Sequence, residues 1–141
     1  MMKNKIKNRN SETGGANAKL LIALVILVLV AHAGYQYVPV AYDAESFKQE
    51  MQTAVVQGMA APPNMLPTDM VKGKIQKAIA ANNIPADAVV QVKAMNNSLT
   101  AHVSYTKQVN ILPFGIYKYK YQFNNTATPT GFLLKDSMPG Q

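Results

Sequence analysis

Cysteine is absent from this sequence. Without thiols there is no disulfide staple, no thiolate nucleophile and no cysteine-based zinc set. Histidine is nearly absent, occurring only as His32 and His102. No second histidine or cysteine lies near enough in the chain to join His102 in a metal set. Acids are also scarce, with seven Asp and Glu in the whole chain. Asp43, Glu45 and Glu50 belong to one helical stretch, Asp69 begins another, and Asp87 and Asp136 fall in connections. No two of them stand at a spacing that acid–base catalysis demands. A phosphate-binding loop, a dinucleotide glycine fingerprint and a nucleophile elbow are all missing. The expectation is a protein that is not an enzyme, with no catalytic, cofactor-binding or metal-ligating residues.

Charge of either sign is missing from Leu20 through Tyr42, and that gap organises the chain. Leu20–Val40 reads LLIALVILVLVAHAGYQYVPV. As a helix of 1.5 Å rise it reaches about 31 Å, close to the hydrocarbon thickness of a bilayer. A helix is also the natural answer to lipid, where backbone N–H and C=O groups find no water. Its second half is weaker, with the polar His32 and Gln36, the poor helix former Gly34, and Pro39. Tyr35 and Tyr37 suit the lipid–water boundary, which places the outer limit near Tyr35–Pro39. Lys3, Lys5, Lys7, Arg9 and Lys19 precede the span against Glu12 alone. The positive-inside rule keeps that end cytoplasmic and puts the rest outside, in the periplasm where the cell has two membranes.

Two processing alternatives compete with a retained anchor. The small triplet Ala31-His32-Ala33 after a basic tail and an apolar core suits signal-peptide cleavage after Ala33. Gly15 stands where a prepilin peptidase would cut. Pilins, however, carry an acid shortly after that glycine, and Ala16–Val40 has none.

The formal charge of +7 is largely a topology signal. Beyond residue 40 the cations exceed the acids by little, so a nucleic-acid partner is not expected. The first nineteen residues are polar, lack a buried-face pattern and read as a disordered tail. Their basic cluster can touch anionic lipid head groups, though fixing topology is role enough for it.

Asp43 has the chemistry of an N-cap and Glu45 suits a first turn, so a separate helix is expected from there. Phe47, Met51, Val55 and Met59 recur every four residues along one face of it. Such a methionine-bearing stripe is a core face in the first instance and a docking surface in the second. Ala60–Pro67 breaks the pattern with Pro62-Pro63. Thr68 is then expected to cap a second helix whose buried side is Val71, Ile75, Ala78 and Ile79. Lys72, Lys74 and Lys77 form its solvated face, and Asn82-Asn83 ends it, since Asn tolerates left-handed backbone.

From Ala88 the period becomes two. Ala88–Met95 reads as a strand and Asn96-Asn97 as a tight turn. Leu99, Ala101, Val103, Tyr105, Val109 and Ile111 then form one face of a long strand, with Lys107 the exception. Leu112–Gly115 turns the chain into Ile116–Asn124. There Tyr117, Tyr119, Tyr121 and Phe123 alternate with Lys118, Lys120 and Gln122. A nucleic-acid stacking platform needs aromatics and cations on one surface. Alternation puts them on opposite faces, so the tyrosines are expected against the helices and the lysines in water. Phe132-Leu133-Leu134 could add a short edge strand to an otherwise loose tail.

The order YVPVAYDAESFKQEM, then NNIP, then VSYTKQVNILPFGIYKYKYQFN, resembles a family of small bacterial single-pass membrane proteins of unknown function. Val38-Pro39 and Tyr105–Phe123 carry the likeness, which covers about Leu20–Asn125. It implies an inner-membrane anchor with a periplasmic α+β module and supplies no catalytic residues.

The expected organisation is therefore a basic tail at 1–19, a transmembrane helix at 20–40, an extracytoplasmic α+β domain at 41–125 and a tail at 126–141. In the domain, two amphipathic helices pack on a three-stranded antiparallel sheet. The expected function is a membrane-anchored, non-enzymatic interaction module, an accessory subunit of an envelope assembly. Its partners would be the lipid bilayer and another envelope protein or a second copy of itself. The alternatives are a pilin-like filament subunit processed after Gly15, or an exported ligand-binding domain whose tyrosine face lines a pocket.

Overall fold

The computed structural model describes residues 13–96 and 98–129. Of the expected disordered tail at 1–19, residues 1–12 lie outside the described residues, as do Asn97 of the tight turn and Phe132-Leu133-Leu134, whereas residues 13–19 are already helical. The described chain forms α1 (Thr13–Gly58), α2 (Pro67–Ala81), β1 (Val89–Met95), β2 (Ser98–Asn110), a 3-10 turn (Pro113–Gly115) and β3 (Lys118–Ala127). The sheet is antiparallel in the order β1-β2-β3, and the helices lie against one face of it, which makes an α+β fold.

The expected break between a membrane helix and a helix opening at Asp43 does not exist. One helix of 46 residues runs through both, with Pro39 inside it and Asp43 well past its start. Pro39 has no N–H, so the carbonyl of Tyr35 loses its intrahelical donor, and an interior proline costs about 3 kcal/mol or more. The rod is held on both sides of that defect by the same strand. Before it, Tyr37 meets Tyr119 and Tyr121 edge-on at 6.1 and 6.0 Å. After it, Phe47 packs on Phe123 at 5.6 Å. Beyond Phe47, Met51 and Val55 are also wholly buried. Each such side chain is worth about 1.5–3 kcal/mol, so together they outweigh the proline. Met59, the fourth member of the expected stripe, lies past the helix end and is half exposed.

Gly58 closes α1 where it runs closest to its neighbours. A Cβ there would collide with Val71 Cγ2 and lie 2.9 Å from Leu99 Cδ1. Glycine lets α1, α2 and β2 converge at that point.

Thr68 does not cap α2. Leu66 holds the cap position without a side-chain hydrogen bond, and Pro67 is the first helical residue. Proline suits that position because its missing N–H would have had no partner anyway. Asp69 is in the first turn, as expected. At the other end Asn83 takes φ +51°, and Ile84 N–H donates to the Ile79 carbonyl at 3.1 Å. This is the asparagine-capped helix end that the Asn pair suggests. The side chain of Asn82 turns inward. Its Nδ2 donates to the Ala78 carbonyl and to Glu50 Oε1 at 2.9 and 3.0 Å, tying α2 to α1.

In β2 the odd positions Leu99, Ala101, Val103, Tyr105 and Val109 are buried. Lys107 breaks the pattern without cost, because its Nζ reaches the Asn83 carbonyl at 2.9 Å. A lysine at a helix C-terminus also complements the helix dipole. β3 is longer than expected at its far end: Ala127 pairs with Ala101 and is buried. The domain limit at 125 therefore moves outward. Gln52 Nε2 donates to the Thr128 carbonyl at 2.7 Å and pins the strand's end to α1.

Candidate functional site

The polar face of the sheet carries Thr100, His102, Ser104, Thr106 and Gln108, facing Thr126, Asn124, Gln122 and Lys120 across the ladder. His102 Nδ1 and Thr126 Oγ1 share a hydrogen bond at 2.9 Å. His102 is therefore a surface histidine with a hydroxyl neighbour. Among the described residues no group of three or more His, Asp or Glu side chains is placed to hold a metal ion. The most pronounced hollows of the described surface bring no two acids together and include neither histidine.

The tyrosines and lysines of β3 do lie on opposite faces, but the tyrosines are not equally covered. Phe123 is buried, Tyr121 half-buried, and Tyr119 and Tyr117 exposed. The gradient follows the helix opposite. Phe123 meets Phe47, Tyr121 and Tyr119 meet Tyr37, and Tyr117 faces the stretch of α1 before Tyr37. Each step toward the start of β3 is a step toward the start of α1. The sheet thus points its β2–β3 end along the apolar half of the helix.

At that end Val30, Ala33, Gly34 and Tyr37 of α1 form an open apolar hollow with Ile111, Tyr117 and Tyr119. Apart from the tyrosine phenols, no ionisable or amide side chain lines it. The exported-domain alternative wants a tyrosine-lined pocket, and this hollow is the nearest approach to one. It is, however, a groove beside the bare half of α1 rather than a chamber within the core. From Leu20 to Val30 the large apolar side chains of α1 are at least half exposed, except Leu29, which is partly covered, and this helix is long and apolar enough to cross a membrane.

Two phenols in the head are perturbed. Tyr105 stacks on Phe123 at 4.8 Å and meets Phe47 edge-on. Its hydroxyl is buried without a hydrogen-bond partner. Burial, helped by Tyr121 and Asp43, pushes its pKa up to about 12. Tyr121 is raised mainly by burial, with Tyr37, Glu45 and Tyr119 adding to it. The Tyr105 hydroxyl is shut away from solvent, whereas Tyr121 is only half-buried.

Sequence reasoning missed the β2–β3 tip. Leu112–Gly115 reads correctly as a turn, but the turn also projects Phe114 and Ile116 outward at 98% and 74% exposure. The available signal was two large apolar residues inside a turn. Comparison of the chain with protein-family models, with characterised proteins and with solved structures finds no match.

Proposed function

We propose that this chain is a membrane-anchored, non-enzymatic interaction module, with its N-terminus in the cytoplasm and its α+β head outside the bacterial inner membrane. The single observation that carries the reading is the uncovered apolar half of α1, continuous with a half that is packed in a folded head. A rod of this kind needs a non-aqueous surround for Leu20–Val30. The basic residues before Leu20 set its direction. The head offers a polar sheet face and two sheet edges, and no converging polar cluster among the described residues. Such a surface suits a protein partner in an envelope assembly better than a reaction. The resemblance to small single-pass bacterial membrane proteins agrees with this reading.

The test uses the absence of native cysteine. In intact cells a Ser104→Cys variant should react with a membrane-impermeant maleimide, and a Ser11→Cys variant only after permeabilisation. The reverse pattern overturns the orientation. A photo-crosslinking residue at Gln122 should then yield a discrete adduct with another envelope protein or a second copy. Failure to form any protein adduct counts against an interaction role.

The filament alternative has one observation in its favour. The helix that begins near Gly15 is a single rod, bare in its first half and packed on a sheet in its second. That bare half could be covered by copies of itself. The mass of the mature protein separates the readings, because a start at Met1, at Ala16 or at Gly34 means anchor, processed subunit or exported domain.

A further inference from the structure

We infer that the β2–β3 tip, Ile111–Tyr117, is a second membrane contact, dipping into the outer leaflet beside α1. The inference rests on the anchor reading above. Two features of the tip point to lipid as its occupant, and a third bears on how its backbone would fare there.

The first is depth. A span beginning at Leu20 uses about 20 residues to cross the roughly 30 Å of hydrocarbon. It therefore leaves the apolar layer near Pro39. Tyr37, with Tyr119 and Tyr121 around it, then sits at the boundary where tyrosine is favoured. Ile111 and Tyr117 lie further down, beside Val30, Ala33 and Gly34. On that scale Val30 is only about 15 Å from Leu20, inside the hydrocarbon. The tip cannot stand beside these residues and remain in bulk water.

The second is the state of Phe114. It is 98% exposed and holds φ +61°. A bulky residue in left-handed backbone is strained, and an exposed ring in water gains nothing to offset that strain. In lipid the same ring is buried, as is Ile116 next to it. Lys118 and Lys120 follow on the opposite face of the strand, and long lysine side chains can extend their ammonium groups toward lipid phosphates.

The third is the backbone. A turn entering lipid must satisfy its own polar groups. This tip does so in part: Ile111 and Leu112 N–H both donate to the Tyr117 carbonyl at 3.1 and 3.4 Å and Ile116 N–H to the Pro113 carbonyl, while the Phe114 and Gly115 N–H have no backbone acceptor among the described residues. Pro113 has no N–H to satisfy.

The sequence contains no tryptophan, so each single-tryptophan variant reports one site. Full-length Phe114→Trp, Leu27→Trp and Met95→Trp would be reconstituted in phosphatidylcholine vesicles with and without brominated acyl chains. Leu27 tests the span. Met95 lies on the exposed β1–β2 end, away from the tip. The proposal expects blue-shifted, bromine-quenched emission from Phe114→Trp and Leu27→Trp, with Met95→Trp unquenched. If Leu27→Trp is quenched and Phe114→Trp emits as in water, the tip contact is wrong and the anchor stands. If Phe114→Trp is blue-shifted yet unquenched, protein rather than lipid covers the tip, and the proposal falls. If Leu27→Trp is also unquenched, the anchor fails and takes the tip with it. Ile116→Trp repeats the measurement should Phe114→Trp not fold.

Discussion

The two halves of α1 share one backbone and have opposite surroundings. Along Leu20–Val30 apolar side chains point in every direction and, Leu29 apart, stay uncovered. Along Ala44–Val55 only one face is apolar, and Ala44, Phe47, Met51, Ala54 and Val55 vanish into the core. A helix greasy all round asks for an apolar medium, whereas a stripe asks for a partner element. The hydrogen-bonded backbone is indifferent to which it receives, and that is why one rod serves both. The comparison predicts that damage to one half leaves the other half's property intact.

The largest effect should come from Phe47→Ala. Removing a fully buried ring that touches Tyr105 and Phe123 costs about 3–5 kcal/mol. Thermal unfolding followed by circular dichroism should shift sharply downward while membrane fractionation stays the same. A matching blow to the other half is Leu27→Lys, at about 2.5–3.5 kcal/mol for a central lysine in a membrane helix. It should release chain from the membrane fraction and leave the head's unfolding temperature unchanged. If either variant moves both readouts together, the two halves are not separable as argued.

Gly58→Ala sharpens the boundary at the far end of the packed half. Its new Cβ meets Val71 and Leu99, and overpacking of that kind costs about 1–3 kcal/mol. Chemical denaturation of the detergent-solubilised protein would read the loss.

Tyr105→Phe gives the smallest change and the opposite sign. It removes a buried hydroxyl that lacks a partner, for a gain of about 1 kcal/mol. The same variant tests the alkaline limb. The folded phenol ionises near 12 against an ordinary 10.0, so the unfolded chain loses its proton first as pH rises. Stability from this group is whole below pH 10 and drains away up to about 12. Phenylalanine at 105 should flatten that fall.

Much of this was legible because period alone carries it. The four-residue spacing of Phe47, Met51 and Val55 and the alternation from Leu99 to Val109 name the buried faces directly, and even Lys107 stood out as an exception. Local end signals were less dependable. Asn82-Asn83 stopped α2, but Asp43 and Thr68 started nothing, because capping chemistry is worth about a kilocalorie and docking is worth several. Pro39 misled for the same reason: Tyr37 and Phe47, clamped to one strand on either side, hold the helix through it. The graded exposure of Tyr117, Tyr119, Tyr121 and Phe123 could not be read from their identical spacing. It depends on which part of α1 lies opposite each of them.

Residue order by itself determined the apolar span, the two core faces, the α+β class and the strand sequence, since each follows from side-chain polarity at short range. Only the tertiary structure decided that span and first amphipathic helix are one rod, and that the sheet's β2–β3 tip lies beside the span. Those outcomes come from contacts between residues some eighty positions apart, where packing between Tyr37, Phe47 and β3 outweighs what proline and capping residues prefer locally.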